Sequence, residues 1–226
     1  MKNYLKVSAI LLIFCASSFI SKAQYYQIAN QLTGLISPAL SGSLNYKGYA
    51  EVSYLKGLGN RQVDFVSVST SQGFKYKSWF FMGVGIGLDV AMSHTNEDFG
   101  IGTYPGSNNY WDHRYKTTGI MVPVFTDFRF NLGNLSKTAF YIDAKIGASF
   151  LMGDNYLAVA DGFITSREYF YLRPSAGVRI PLKKNGKSAV DLGITYQLLT
   201  SNYWYNSPSS YNVTLSSLGA TVGFEW

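Results

Sequence analysis

The chain has 226 residues, a formal charge of +6, one cysteine, 14% charged and 16% aromatic residues. About 25% charged residues is usual for soluble domains, so this composition is poor in charge and rich in rings, and it suggests a chain that meets something other than water. One cysteine excludes a disulfide framework, and a mild charge without a basic stripe gives no footprint for nucleic acid.

Residues 1–23 read as a secretory signal peptide. Lys2 and Lys6 precede the apolar run Val7 to Ile20, and Ser21-Lys22-Ala23 sets small residues at −3 and −1 before Gln24. The run is too short and wrongly flanked for a transmembrane helix. Cys15 leaves with it, as do Lys2, Lys6 and Lys22, which halves the formal +6. Bulky Ile13 and Phe14 before Cys15 disfavour a lipoprotein acylation site. Residues 24–42 form an N-terminal periplasmic segment. Ile28, Leu32, Leu35 and Ile36 recur at helical spacing until Pro38 stops them, which fits a short amphipathic helix or a loose linker.

Residues 43–226 read as strands. Two with muddier parity come first, at about Leu44–Lys56 and Arg61–Phe74. Phe80 to Ser93 is the clearest segment: Met82, Val84, Ile86, Leu88, Val90 and Met92 alternate with Gly83, Gly85, Gly87, Asp89, Ala91 and Ser93. Successive strand side chains point to opposite faces, so one face is continuously apolar and the other small or polar. Four further segments repeat the pattern at Ile120–Leu132, Phe140–Phe150, Leu172–Ile180 and Val190–Leu198, and Leu218–Trp226 ends the chain in the same way.

Eight strands result, an even number that returns the chain to its starting side. The connections alternate in length. Those around Lys75-Tyr76-Lys77, 133–137 and 183–187 are short, whereas 95–115, 153–165 and 201–212 are long; only the first, 57–60, departs as a tight hairpin. Short periplasmic turns and long outer loops mark membrane barrels. The expected fold is therefore all-β, an eight-stranded antiparallel up-and-down transmembrane barrel. Volume sets the direction of the faces: an eight-stranded bore holds few large side chains, so the apolar row points to lipid and the glycines inward. Aromatics agree, with Trp79-Phe80-Phe81, Phe128, Phe130, Phe140-Tyr141, Phe224 and Trp226 expected in a girdle near the periplasmic rim.

Met121-Val122-Pro123-Val124-Phe125 opening a strand, and a last strand closing on Gly223-Phe224-Glu225-Trp226, carry a resemblance over about residues 44–226. The chain resembles the eight-stranded outer-membrane β-barrel families of Gram-negative bacteria, in particular the outer membrane protein β-barrel domain common in Bacteroidetes. The resemblance implies an outer-membrane location, outer-membrane lipid as surroundings, and recognition of Phe224 and Trp226 by the barrel-assembly machinery. Ser37-Pro38-Ala39-Leu40-Ser41-Gly42 resembles an N-P-A-x-x-G opening of larger gliding- and secretion-associated barrels, with Ser37 in place of Asn; their function is not carried over to this shorter chain.

Candidate sites follow from the faces. On the inward row Asp89, Asp127, Asp143, Asp191 and Glu225 meet Arg129, Lys145, Arg173 and Arg179. Inside a narrow bore such charges must pair, which fits a plug that fills the lumen, with a gated polar conduit as the other reading. His94 and His113 flank the longest outer loop near Ser93, Glu97, Asp98 and Asp112; a Ser–His–acid set there would suit acyl transfer or deacylation of envelope lipid. The spacing matches no metal site, and no cofactor is implied. Gly83, Gly85 and Gly87 lack the following helix that a phosphate cradle needs. Tyr104, Tyr110 and Trp111, with Tyr203-Trp204-Tyr205, stand among Ser, Gly and Asn and suit either surface recognition of an unidentified partner or anchoring at the interface. The main expectation is a structural or surface-recognition barrel; a lipid-modifying enzyme and a secreted lipocalin-like barrel are the alternatives.

Overall fold

The computed structural model describes residues 44–76, 79–94, 115–134, 136–153, 156–159, 162–164, 166–182, 187–203 and 211–226. The expected leader, segment 24–42 with its expected short helix or linker, and most of the long connections lie outside them. Among the described residues eleven strands follow in chain order: β1 Leu44–Leu58, β2 Val63–Tyr76, β3 Phe80–Ser93, β4 Tyr115–Lys116, β5 Thr118–Leu132, β6 Ala139–Leu151, β7 Tyr156–Val159, β8 Gly162–Ile164, β9 Glu168–Pro181, β10 Ala189–Tyr203 and β11 Tyr211–Glu225.

Eight of these close into an antiparallel barrel in the order β1-β11-β10-β9-β6-β5-β3-β2. Chain neighbours are barrel neighbours throughout, so the path is up and down around the ring. Each barrel strand runs 13–15 residues, and the register is continuous, as from Val63↔Ser93 to Tyr76↔Phe80 between β2 and β3. The final strand closes on the first from Tyr49↔Glu225 to Leu58↔Ser216. One residue further along, Gly48 and Trp226 exchange backbone hydrogen bonds of 3.2 and 3.1 Å. The Trp226 indole lies where a Cβ on residue 48 would stand, so any larger residue there would have to push the ring aside.

Alternation sorts the faces. On β3, Ile86 is 52% exposed and Leu88 48%, while Asp89 and Ala91 are fully buried. The same outward row continues through Val52, Val68, Val124, Ile142, Phe170, Ile194 and Val222. The apolar row therefore faces out and the polar row faces in.

Three findings differ from the sequence reading. Phe81 and Tyr141 sit on the inward parity, buried at 0% and 1%, because each is one residue out of step with its girdle neighbour; the rings that cluster outside are Trp79, Phe80 and Phe130, with centroids 5.0–5.9 Å apart. The connection 153–165 is not simply a loop. β7 and β8 form a hairpin within it, and β4 joins β7 in parallel to complete a three-stranded sheet. Finally, the lumen is not polar throughout. Leu55, Val63, Phe65, Met121, Phe125, Leu151, Leu199 and Leu215 turn inward at the long-loop end and pack with Leu157 and Val159 of β7. An apolar run as short as Tyr156–Val159 gains little by itself, but here it covers an apolar ring that the bore would otherwise expose to water.

Candidate functional sites in the lumen and at the long-loop rim

All nine charged residues expected inward lie in the lumen, none more than 1% exposed, and the barrel brings them together in three groups. Arg129 on β5 anchors the first. Its Nη1 lies 2.5 Å from Asp191 on β10, and its Nη2 lies 2.7 Å from Glu51 on β1 and 3.7 Å from Asp143 on β6. The guanidinium sits over the rings of Tyr49 at 4.2 Å and Tyr141 at 4.3 Å. A planar, delocalised cation suits that position, since it can bond carboxylates at its edge and stack at its faces. Lys145 extends the group, 2.9 Å from Glu51 and also bonded to Asp143. Asp127, the register partner of Lys145, accepts from Ser71 on β2, across the intervening strand β3.

The second group sits at the short-turn mouth. Glu225 pairs with Arg179 at 2.5 Å, with Lys75 at 3.3 Å and with Lys47 at 3.0 Å. The third bridges the middle. Arg173 donates to Ser67 at 2.7 Å and to Ser53 at 2.5 Å, and Ser67 in turn donates to Asp89 at 2.5 Å, which Gln197 also contacts at 3.3 Å. All eight barrel strands thus contribute to these groups, through side chains far apart in sequence. The bore is occupied rather than open: the large side chains that cross it, Arg129, Arg173, Arg179, Tyr49, Tyr141 and Tyr171, are less than 2% exposed.

Glu51, Lys75 and Lys47 escaped the sequence reading because the parity of the first two strands was hard to follow. The signal was present: Tyr49, Glu51, Ser53 and Leu55 share one face of β1, with Ala50, Val52 and Tyr54 on the other.

Ser93 and His94 separate at the long-loop rim. They are adjacent on an extended chain and so take opposite faces: Ser93 follows the inward parity of Asp89 and Ala91, His94 the outward parity of Met92. The acid that His94 meets is Asp64 on β2, with Nε2 2.8 Å from Oδ2. Asp64 also accepts from Tyr54 Oη at 2.8 Å and from the Gly57 backbone N–H at 2.8 Å. A buried carboxylate thus fastens three strands beneath an exposed imidazole, a pairing that can orient a histidine for proton transfer. Glu97 and His113 lie outside the described residues. Among the described residues no group of three His, Cys, Asp or Glu side chains is arranged to hold a metal ion.

Tyr104, Tyr110, Trp111, Trp204 and Tyr205 also lie outside the described residues; the Tyr203 backbone ends β10, paired with Tyr211. Phe224 and Trp226 are 42% and 40% exposed on the outward face, with stacked rings 6.1 Å apart.

No known protein family matches the chain, and no curated protein matches it in sequence. Among solved structures it is similar to the outer membrane enzyme PagL, at 12% identity and a TM-score of 0.47, covering 77% of this chain and 97% of that one. It is similar to Neisserial surface protein A (NspA), at 12% identity and a TM-score of 0.48, with 80% and 97% covered. It is also similar to the N-terminal β-barrel domain of Pseudomonas aeruginosa OprF, at 12% identity and a TM-score of 0.37, again with 80% and 97% covered. At these scores the likeness is one of coarse strand arrangement.

Proposed function

We propose that this protein is a small outer-membrane barrel of the Gram-negative envelope, exported through its leader, with a structural or surface-recognition role and a lumen closed by its own side chains. One observation carries the reading: the eight-stranded wall turns its apolar row outward while its interior is filled with paired ions. A soluble ligand-binding barrel would need the faces reversed. Strand length is consistent. Fifteen residues at about 3.3 Å each, tilted by about 45°, rise roughly 35 Å, enough for a hydrocarbon core of about 30 Å. The long-loop rim then faces the exterior, where Tyr104, Tyr110, Trp111, Trp204 and Tyr205 are the candidate contacts. Phe224 and Trp226 would serve the assembly machinery during insertion.

The test is twofold. The protein should need detergent for extraction and migrate differently on gels before and after boiling. In planar bilayers the folded barrel should give no conductance steps; reproducible steps would turn the plug into a conduit, and extraction without detergent would end the membrane reading.

A lipid-modifying enzyme is the second reading, supported by the Asp64–His94 pair at the same rim. Its test is the mass profile of the host's envelope lipid with His94→Ala and His113→Ala; a profile identical to wild type ends it.

A further inference from the structure

The wall is not smooth at the long-loop rim. β4 leaves it to pair with β7, with Lys116 opposite Leu157, and the barrel resumes at Thr118. On the neighbouring strand Met152 N–H still donates to Ile120 C=O at 2.8 Å, and then Gly153, at φ +84°, turns the chain away. Between the wall and the diverging small sheet opens a cleft of about 280 Å³, lined by Lys116, Thr118, Ile120, Leu151, Met152 and Tyr156 among others. Ile120 and Met152 are 48% and 55% exposed on the outward, apolar face. Cations stand at the long-loop end: Lys116 is exposed, and the exposed Arg167 guanidinium lies 5.1 Å over the Tyr156 ring. The bond from Ser93 N–H to Thr117 C=O, 2.7 Å, ties the strand end that carries His94 to the same segment.

We infer that this cleft seats an anionic lipid of the surrounding leaflet, one acyl chain against Ile120 and Met152 and the acidic headgroup against Lys116 and Arg167. The inference rests on the wall being lipid-facing. Two-ended polarity selects the occupant. An inorganic anion would leave the apolar floor in water, and a neutral hydrocarbon would leave the cations unmatched. A convex stretch of wall meets lipid tails just as well, but it offers neither concavity nor charge at a fixed depth, so it cannot prefer one headgroup to another.

The experiment uses the full barrel in detergent micelles, with phosphatidylglycerol and phosphatidylcholine of identical chains competing for retention in native mass spectrometry. Phosphatidylglycerol should be retained about tenfold over phosphatidylcholine, a preference worth about 1.4 kcal/mol, and inorganic phosphate should not displace it. Lys116→Gln combined with Arg167→Gln should abolish the preference. Met152→Trp, which fills the cleft, should lower retention of both lipids, and Ile194→Trp on a distant part of the wall should change neither. Equal retention of the two lipids by the wild type, or a preference that survives the double variant, overturns the seat. Gel migration of each variant before and after boiling reports on the barrel itself: a folded barrel without selectivity refutes only the cleft, whereas a chain that stays soluble without detergent refutes the lipid-facing wall.

Discussion

The two halves of the lumen fill the same narrow bore by different physics. Towards the short turns, Glu51, Lys145, Arg129, Asp191, Arg179 and Glu225 hold one another by charge. Towards the long loops, Phe65, Met121, Leu199 and Leu215 close the bore by volume, with β7 laid over them. Charge demands a specific partner, since a single deletion strands the group it neutralised, while apolar packing demands only the right size and tolerates exchange. The first half fixes which strands stand opposite each other, and the second seals the long-loop end.

The sharpest attempt to break this contrast is Arg129→Met. It leaves Asp191 without its cation, and Glu51 and Asp143 with Lys145 alone, and should cost about 3–5 kcal/mol, read as a lowered urea midpoint for unfolding in detergent. Adding Asp191→Asn should restore part of that loss; a double variant that only sums the two single losses would show that the charges act independently. In the apolar half, Leu199→Ala should cost about 2–5 kcal/mol from lost contacts and a cavity, and Leu199→Met under about 1.5 kcal/mol. If methionine there proves as harmful as alanine, that half depends on a specific fit and the contrast fails. Outside, Ile86→Arg should cost about 2–4 kcal/mol at mid-membrane, measured by folding into lipid vesicles; assembly equal to wild type would mean that the wall does not meet lipid. The smallest effect belongs to the rim. The His94 side chain is 52% exposed, so His94→Ala should shift stability by no more than about 1 kcal/mol, which makes the variant usable as a clean probe of lipid chemistry.

Much of the architecture was legible because a strand's period of two is strict. Between Met82 and Ser93 every second residue is apolar, so the facing of Asp89 could be read without knowing its neighbours. Arg129, Asp143 and Asp191 were placed on the inward face in the same way. The reading faltered where alternation carried no contrast. Phe80 and Phe81 are both aromatic, and so are Phe140 and Tyr141, so composition could not say which ring of each pair turns in. β1 and β2 carry Tyr, Val and Lys on both faces, which hid Glu51, Lys75 and Asp64.

Strand count, chain direction and the two faces were local matters, settled by alternation and by the spacing of turns. Who meets whom across the bore was not local. Arg129 finds Glu51 and Asp191 because closing the ring sets β5 against β1 and β10, and no pattern within β5 carries that information. The same closure turned a short apolar stretch of a long connection into a cover for the lumen and set Asp64 beside His94. Pairings between residues far apart in the chain depend on how many strands close the ring and in what register, which is why they emerge only in the folded barrel.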